Sequence, residues 1–191
     1  MSDGPIDSNE NRPSGEAAAP VLRDAMTQTI YEQMRPIAAS LLGNPMGSTL
    51  QPTAIVNETF IKLAGNPKLE IHDRAHLVCL AAKAMRHILA DHARQRLSAK
   101  RGGGEYARVT LSDIGTDGTA HAFDAIDVHT ALERLERLSE RQARVVELRF
   151  FAGMSMPEIA EAMKISERTA HNDWRFAKAW LRRELGNGDD A

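Results

Sequence analysis

Two helix-start signatures set close together near the C-terminus constrain this chain more than any other feature. Ser155-Met156-Pro157-Glu158 is a capping box, with a serine to take an orphan N–H of the first turn and a glutamate that reaches back three residues later. Proline is tolerated in that first turn. The short helix it opens carries Ile159, Ala160 and Met163, and Met163-Lys164-Ile165 forms a brief turn before Ser166 caps a longer helix. In the longer helix Ala170, Trp174, Ala177, Leu181 and Leu185 recur at steps of four and three, so they share one buried face. Arg168, His171, Asn172, Arg175 and Arg182 point away from it. The spacing predicts a helix-turn-helix from about Met156 to Leu185, although an ordinary helical hairpin with a solvated charged face has the same spacing. Phe176 and Trp180 lie off the centre of the stripe and are read as widening the core contact, with an exposed partner surface as the alternative.

The remainder of the chain reads as helix too. Aromatic residues make up only 5%, and Ala, Leu, Arg and Glu are frequent where runs of Val, Ile or Thr would be needed for sheet. The expected fold class is therefore all-α. With 24 Lys plus Arg against 26 Asp plus Glu, the formal net charge is -2, so any binding to nucleic acid must rest on local patches. Cys79 is the single cysteine, which excludes an intramolecular disulfide and a cysteine-based zinc framework. No run of about 18 apolar residues is present to span a bilayer. Asp3, Asp7, Glu10 and Glu16 stand where a signal peptide would be basic and then apolar, so a cytoplasmic setting without membrane insertion is expected.

Residues 1–20 are rich in Ser, Gly, Pro, Asn and Ala and read as a disordered lead-in. Helical patterning begins near Val21 and runs through Ile30, Met34, Ile37 and Leu41 to the breaker Gly43-Asn44-Pro45. A second helix is expected over Pro52 to Ala64, with Ile55, Val56, Thr59, Phe60 and Leu63 on one side and Gly65-Asn66-Pro67 as its stop. A third runs from about Asp73 to Lys100. Residues 101–123 then lose the period, beginning with Arg101-Gly102-Gly103-Gly104, and read as a flexible linker; Val109-Thr110-Leu111 suggests a brief extended segment without an evident partner. Val128, Leu132, Leu135 and Leu138 mark a further helix, and Ser139-Glu140-Arg141-Gln142 caps another that should end near Gly153.

On the long third helix, Leu77, Leu80, Ala81, Ala84, Met85, Ile88 and Leu89 fill one arc, while Lys83, Arg86, His87, Arg94 and Arg101 align opposite. That row suits a polyanion or, equally, water. His72 and His76 stand four apart, but the pattern places no third ligand and no metal site is expected. Nucleophile elbows, phosphate loops and dinucleotide turns are absent from the sequence, so neither a cofactor nor an enzyme is expected.

Together these segments resemble the extracytoplasmic-function (ECF) group of the sigma-70 superfamily, over about Val21 to Leu185. The run Arg141 to Phe151, the segment Ser155 to Ala160 and the segment Trp174 to Leu181 are similar to sigma region 4; Asp91-His92-Ala93-Arg94 is similar to the end of region 2. The resemblance implies two small helical domains, region 2 over 21–100 and region 4 over 124–186, with a tail at 187–191. It implies core RNA polymerase as partner, through the beta-prime coiled coil and the beta flap, together with promoter DNA. Arg168, Thr169, His171, Asn172, Arg175 and Lys178 would then face the minus-thirty-five element, and Lys83, Arg86, His87 and Arg94 the minus-ten element. The loop from Gly65 to His72 would help hold an unstacked base. Thr53, Val56, Asn57, Glu58 and Phe60 would meet the polymerase.

Two departures from the family pattern bear on these expectations. The recognition helix carries Ala170-His171-Asn172 where relatives have Val and basic residues, implying fewer phosphate contacts. The core-binding helix opens with Gln51-Pro52-Thr53-Ala54 where relatives show an acidic run, and phosphorylation of Thr53 would restore the missing charge. Control by a Ser/Thr kinase or an anti-sigma factor would fit this. Two other readings stay open: a dimeric helix-turn-helix regulator that does not engage polymerase, and a helical adaptor whose basic faces bind acidic proteins.

Overall fold

A computed structural model describes residues 28–42, 50–99, 108–112, 114 and 121–186. The expected lead-in and tail, the start of the first helix from Val21, the Gly43 breaker and the glycines at 102–104 lie outside these. Among the described residues the chain forms α1 (Gln28–Leu42), α2 (Pro52–Ala64), α3 (Arg74–Ala99), β1 (Arg108–Leu111), β2 (His121–Asp124), α4 (Ala125–Leu138), α5 (Glu140–Phe151), α6 (Met156–Met163) and α7 (Glu167–Gly186). The chain is mostly helical, with one small two-stranded sheet.

Periodic apolar residues explain the first three helices. Ile30, Met34, Ala38 and Leu41 line the buried side of α1, and Pro36 sits inside the helix on its exposed side, where water can reach the carbonyl that proline leaves unpaired. In α2, Pro52 occupies the first turn, and the end closes through the Gly65 N–H on the Ile61 carbonyl at 2.9 Å and the Asn66 N–H on the Leu63 carbonyl at 3.2 Å. Ile55, Val56, Phe60 and Leu63 enter the core shared with α1 and α3, each worth about 1.5–3 kcal/mol on burial. Thr59 is buried beside them, its hydroxyl donating to the Ile55 carbonyl at 2.8 Å.

The stretch expected to be a free linker is partly built into the body. β1 pairs antiparallel with β2, Arg108 opposite Asp124 and Leu111 opposite His121, giving Val109-Thr110-Leu111 the partner strand that the sequence did not reveal. Val109, Leu111 and Ile114 are buried, and the hairpin packs on α1 and α4. Arg182, expected to face away from the stripe, donates through Nε to the Ile114 carbonyl at 2.8 Å.

The two helical halves also pack directly on one another, since α3 lies against both α4 and α5, and α1 touches α5. Apolar side chains of α1 to α5, of the strands and of α7 therefore join one core cluster, beside a smaller one formed by Cys79, Val145, Leu148, Met156, Ile159, Ala160 and Ala170. Gly153 turns the chain between α5 and α6 at φ 68, close to Ile37 of α1.

Candidate nucleic-acid interface

Each helix of the C-terminal unit starts on a side-chain cap. Asp124 accepts from the Ile126 N–H at 2.7 Å to start α4, and Ser139 accepts from the Gln142 N–H at 3.4 Å to start α5. At α6 the Glu158 carboxylate accepts from both the Ser155 N–H (2.7 Å) and hydroxyl (2.6 Å), which holds this carboxyl below its ordinary pKa. The turn that follows places Lys164 in the left-handed region, and the Ile165 N–H closes back on the Ala160 carbonyl at 2.9 Å. Ser166 then accepts from the Thr169 N–H at 3.1 Å and opens α7. Short helix, tight turn and long helix therefore follow as the two caps dictate.

On α7, Ala170, Ala177, Leu181 and Leu185 are buried and Trp174 is half-buried against Phe150, ring centroids 5.4 Å apart. Arg168, His171, Asn172 and Arg175 are exposed on the other side. Arg175 donates to the Asn172 side-chain oxygen at 3.1 Å, which aligns these two neighbours on one face. Thr169 is half-buried and drawn into the cap by Ser166, and Lys178 is half-buried. Trp180 packs against the core as expected, but Phe176 is 59% exposed and does not.

One anchor of this helix escaped the sequence reading. Asp173, 4% exposed, takes two hydrogen bonds from Arg141 of α5, at 2.6 Å from Nε and 3.1 Å from Nη2. An acid one turn from both Ala170 and Ala177 lies on the buried arc, and that was the available signal.

The long helix α3 differs more from expectation. Of the row read as suiting either a polyanion or water, Lys83, Arg86 and His87 turn toward α4 and α5. Lys83 donates to Glu136 of α4 at 2.5 Å, lowering that carboxyl's pKa. Arg86 is 2% exposed and sits between His129 and Glu147. His87 meets the His129 ring edge to face at 4.8 Å, and burial followed by Arg86 pushes its pKa down to about 4. Of the four residues expected at the minus-ten strand, Arg94 alone is exposed, and it pairs with Asp91 at 2.9 Å. Arg101 lies outside the described residues.

On α2, Val56 and Phe60 are wholly buried and support the helix from inside, so they are not on the surface in this arrangement. The outward face is made by Ala54, Asn57, Glu58, Ile61 and Lys62, with Ile61 70% exposed. Thr53 is half-buried in the first turn. Glu58 is 2.7 Å from Nε2 of His92, and Lys62 is 3.8 Å from Asp91, so the Asp91-His92-Ala93-Arg94 segment ties α3 to α2.

His72 and His76 stack with ring centroids 4.9 Å apart, and the His72 N–H donates to Nδ1 of His76. They line a cavity of about 570 Å³ with Asp73, Cys79, Arg141 and Arg144. Burial and then His72 lower the His76 pKa, while burial raises that of the Cys79 thiol. Among the described residues no group of three or more His, Cys, Asp or Glu is placed to hold a metal ion, and no helix is long and apolar enough to cross a membrane.

The family model described as ECF sigma factor matches residues 12–187. A search of curated proteins returned no match. The matched span takes in all the helices above and most of the chain, and the chain therefore belongs to the ECF sigma factor family, non-enzymatic transcription factors that bind RNA polymerase and promoter DNA in initiation.

Proposed function

We propose that this protein binds core RNA polymerase in the cytoplasm and directs it to its own set of promoters, with residues 21–100 acting as region 2 and residues 124–186 as region 4. The observation that carries the reading is the outer face of α7, where Arg168, His171, Asn172 and Arg175 are exposed together on a helix held by its opposite stripe. Asn172 and His171 supply donors and acceptors for base edges of the minus-thirty-five element, and Arg168 and Arg175 reach phosphates. Thr169 and Lys178 flank this face. On α2, the exposed Asn57, Glu58 and Ile61 meet the beta-prime coiled coil, with Val56 and Phe60 fixing the helix from behind. Region 4 meets the beta flap. Arg94, already exposed, and Lys83, Arg86 and His87, once they are uncovered, serve the minus-ten strand.

Polymerase binding is further proposed to be controlled at Thr53 by a Ser/Thr kinase. Three features of α2 support this: its first turn has no acidic residue, Gln51 provides no side-chain cap, and Glu58 is already engaged by His92. A phosphate there would add about -1.5 to -2 of charge at the positive end of the helix.

Run-off transcription with purified core polymerase and genomic promoter fragments tests the reading. Promoter-specific transcripts that need both the chain and core are expected, with an unmodified chain weaker than a phosphorylated one. A chain that protects two equal half-sites about one helical turn apart and yields no transcript under either condition would instead be a dimeric regulator.

A further inference from the structure

The basic row of α3 is not bare: acidic side chains from the C-terminal half occupy it. Lys83 bonds to Glu136 at 2.5 Å. Nη2 of Arg86 lies 2.9 Å from Oε1 of Glu147 and 3.7 Å from Oε2 of Glu136, while Nη1 donates to the His129 carbonyl at 3.2 Å. Arg86 and Glu147 are both almost completely shielded from water, at 2% and 3% exposure. A buried ion pair sacrifices the hydration of two charges, and recovers it only when every donor is well met. Here it is not: Nε of Arg86 has no hydrogen-bond partner among the described residues, and Nη2 makes its ionic contact without hydrogen-bond geometry. An imperfectly satisfied guanidinium gains when offered water or phosphate, where all its donors can be used. Glu147 thus holds Arg86 in a specific place while leaving its hydrogen-bonding capacity unfilled.

We propose that Glu147 and Glu136 form an autoinhibitory latch, occupying on Arg86 and Lys83 the positions that backbone phosphates of a single DNA strand would take. Closed packing of α3 on α4 and α5 and loading of DNA onto α3 are then mutually exclusive states. The latch rests on the reading of α3 as the element that meets the minus-ten strand. It explains how a helix carrying basic residues for DNA can have them covered in the chain alone. It also gives α4 and α5 a role that the recognition helix does not share. Partners that pull the halves apart, the polymerase first among them, uncover the basic row.

The test uses the full chain and two variants, Glu136→Gln at the partly exposed rim and Glu147→Gln in the buried pair. Small-angle scattering reports whether the chain opens, and fluorescence anisotropy with a short labelled single strand of mixed sequence reports DNA affinity. Thermal melts check that both variants fold. The expected result is a larger radius of gyration for the variants and an affinity for the single strand raised by about tenfold, inside the usual range for coupled sites. Because Glu136→Gln changes a rim residue, it gives the answer if Glu147→Gln fails to fold. Variants as compact as the parent with unchanged affinity would overturn the latch, and so would opening without a gain in affinity. Compaction and strand binding are read without polymerase, so a latch that behaves as expected in a chain that never directs transcripts would count against the sigma role alone.

Discussion

Arg141 in the first turn of α5 clamps Asp173 of α7 through two parallel hydrogen bonds, at 2.6 and 3.1 Å, so α7 is keyed to the helix behind it by charge as well as by apolar packing. Because Asp173 is buried and flanked on its own helix by His171, Asn172 and Arg175, any shift there moves the outer face. Asp173→Asn keeps the shape and removes the charge, leaving the Arg141 fork half matched. It is expected to lower Tm by roughly 2–4 °C and to weaken duplex promoter binding at the same time. Thermal melts beside a gel-shift titration check this. Loss of binding with no change in Tm would mean that the clamp orients α7 without stabilising the fold.

The exposed face of α7 predicts a separation of roles. Arg175→Ala should weaken binding to all duplexes alike and reduce the salt slope by about one unit, the signature of one lost phosphate contact. Asn172→Ala should cost about 1–3 kcal/mol on the preferred duplex and little on others. Titrations of specific and scrambled duplexes at several salt concentrations measure both. Equal losses on both duplexes for Asn172→Ala would remove it from base reading.

Gly153 is required by backbone and space together. Its φ of 68 is the left-handed region, and a Cβ there would stand 3.0 Å from Cδ1 and Cγ1 of Ile37 in α1. Gly153→Ala is therefore expected to cost about 1–2 kcal/mol from conformation, before any shift of Ile37 is added. Chemical denaturation of the two chains gives the difference directly. A variant as stable as the parent would show that the turn relaxes away from α1 at no cost.

The contact between α3 and α4 should weaken in acid. His87 is neutralised by burial, then by Arg86 and His129, with Lys62 and Lys83 acting in the same direction. His129 is lowered by burial and then Arg86, against the raising influence of Glu133 and Asp91. Both folded-state pKa values lie below the unfolded value of 6.5, so more protons bind on opening. Their contribution to stability is full above 6.5 and is lost as pH falls toward about 4, where His87 titrates in the folded chain. Glu147 works the other way: burial raises its carboxyl despite Arg86, so the folded chain binds that proton more readily and offsets part of the loss. Thermal melts between about pH 7 and about pH 5 should show Tm falling with acid, and His87→Gln should flatten the fall. A profile unchanged by His87→Gln would exclude the ring as its source.

Helix positions were legible in the sequence where punctuation was local. Pro52 and Gly65 bracket α2, and Ser155 and Ser166 fix the two helices of the helix-turn-helix, because caps and breakers act within a turn of where they stand. The hairpin was not legible, since Arg108–Leu111 and His121–Asp124 are only four residues each and their pairing is set by packing on α1 and α4. Nor was the fate of Arg86. A helical wheel separates polar from apolar arcs, but whether the polar arc meets water or a carboxylate depends on Glu147, a residue distant in the chain. The same limit applies to Val56 and Phe60: the family resemblance implied a binding role for their helix, and burial assigned these two to its inner side. Glu147 within Val145-Val146-Glu147-Leu148 and Asp173 within the α7 stripe show the clue that was present, an acid standing where the period calls for an apolar residue.

The start of α2 supplies the last prediction. A helix whose first turn has no acid and whose cap residue makes no side-chain bond leaves its positive end uncompensated, and a phosphate on Thr53 would supply that charge next to the outward-facing Asn57 and Glu58. Glu58 cannot readily substitute, because it is 2.7 Å from His92 and serves the contact between α2 and α3. Thr53→Glu introduces one negative charge where the phosphate would bring about two, so it should bind core polymerase more tightly than the unmodified parent and less tightly than the phosphorylated chain. Thr53→Ala should bind like the unmodified parent and fail to respond to a kinase. Equilibrium binding to core polymerase with all four forms separates the cases. If the unmodified parent already binds tightly, and Thr53→Ala and Thr53→Glu match it, Thr53 is simply a residue of the helix start and polymerase is met by the outer face of α2 without modification.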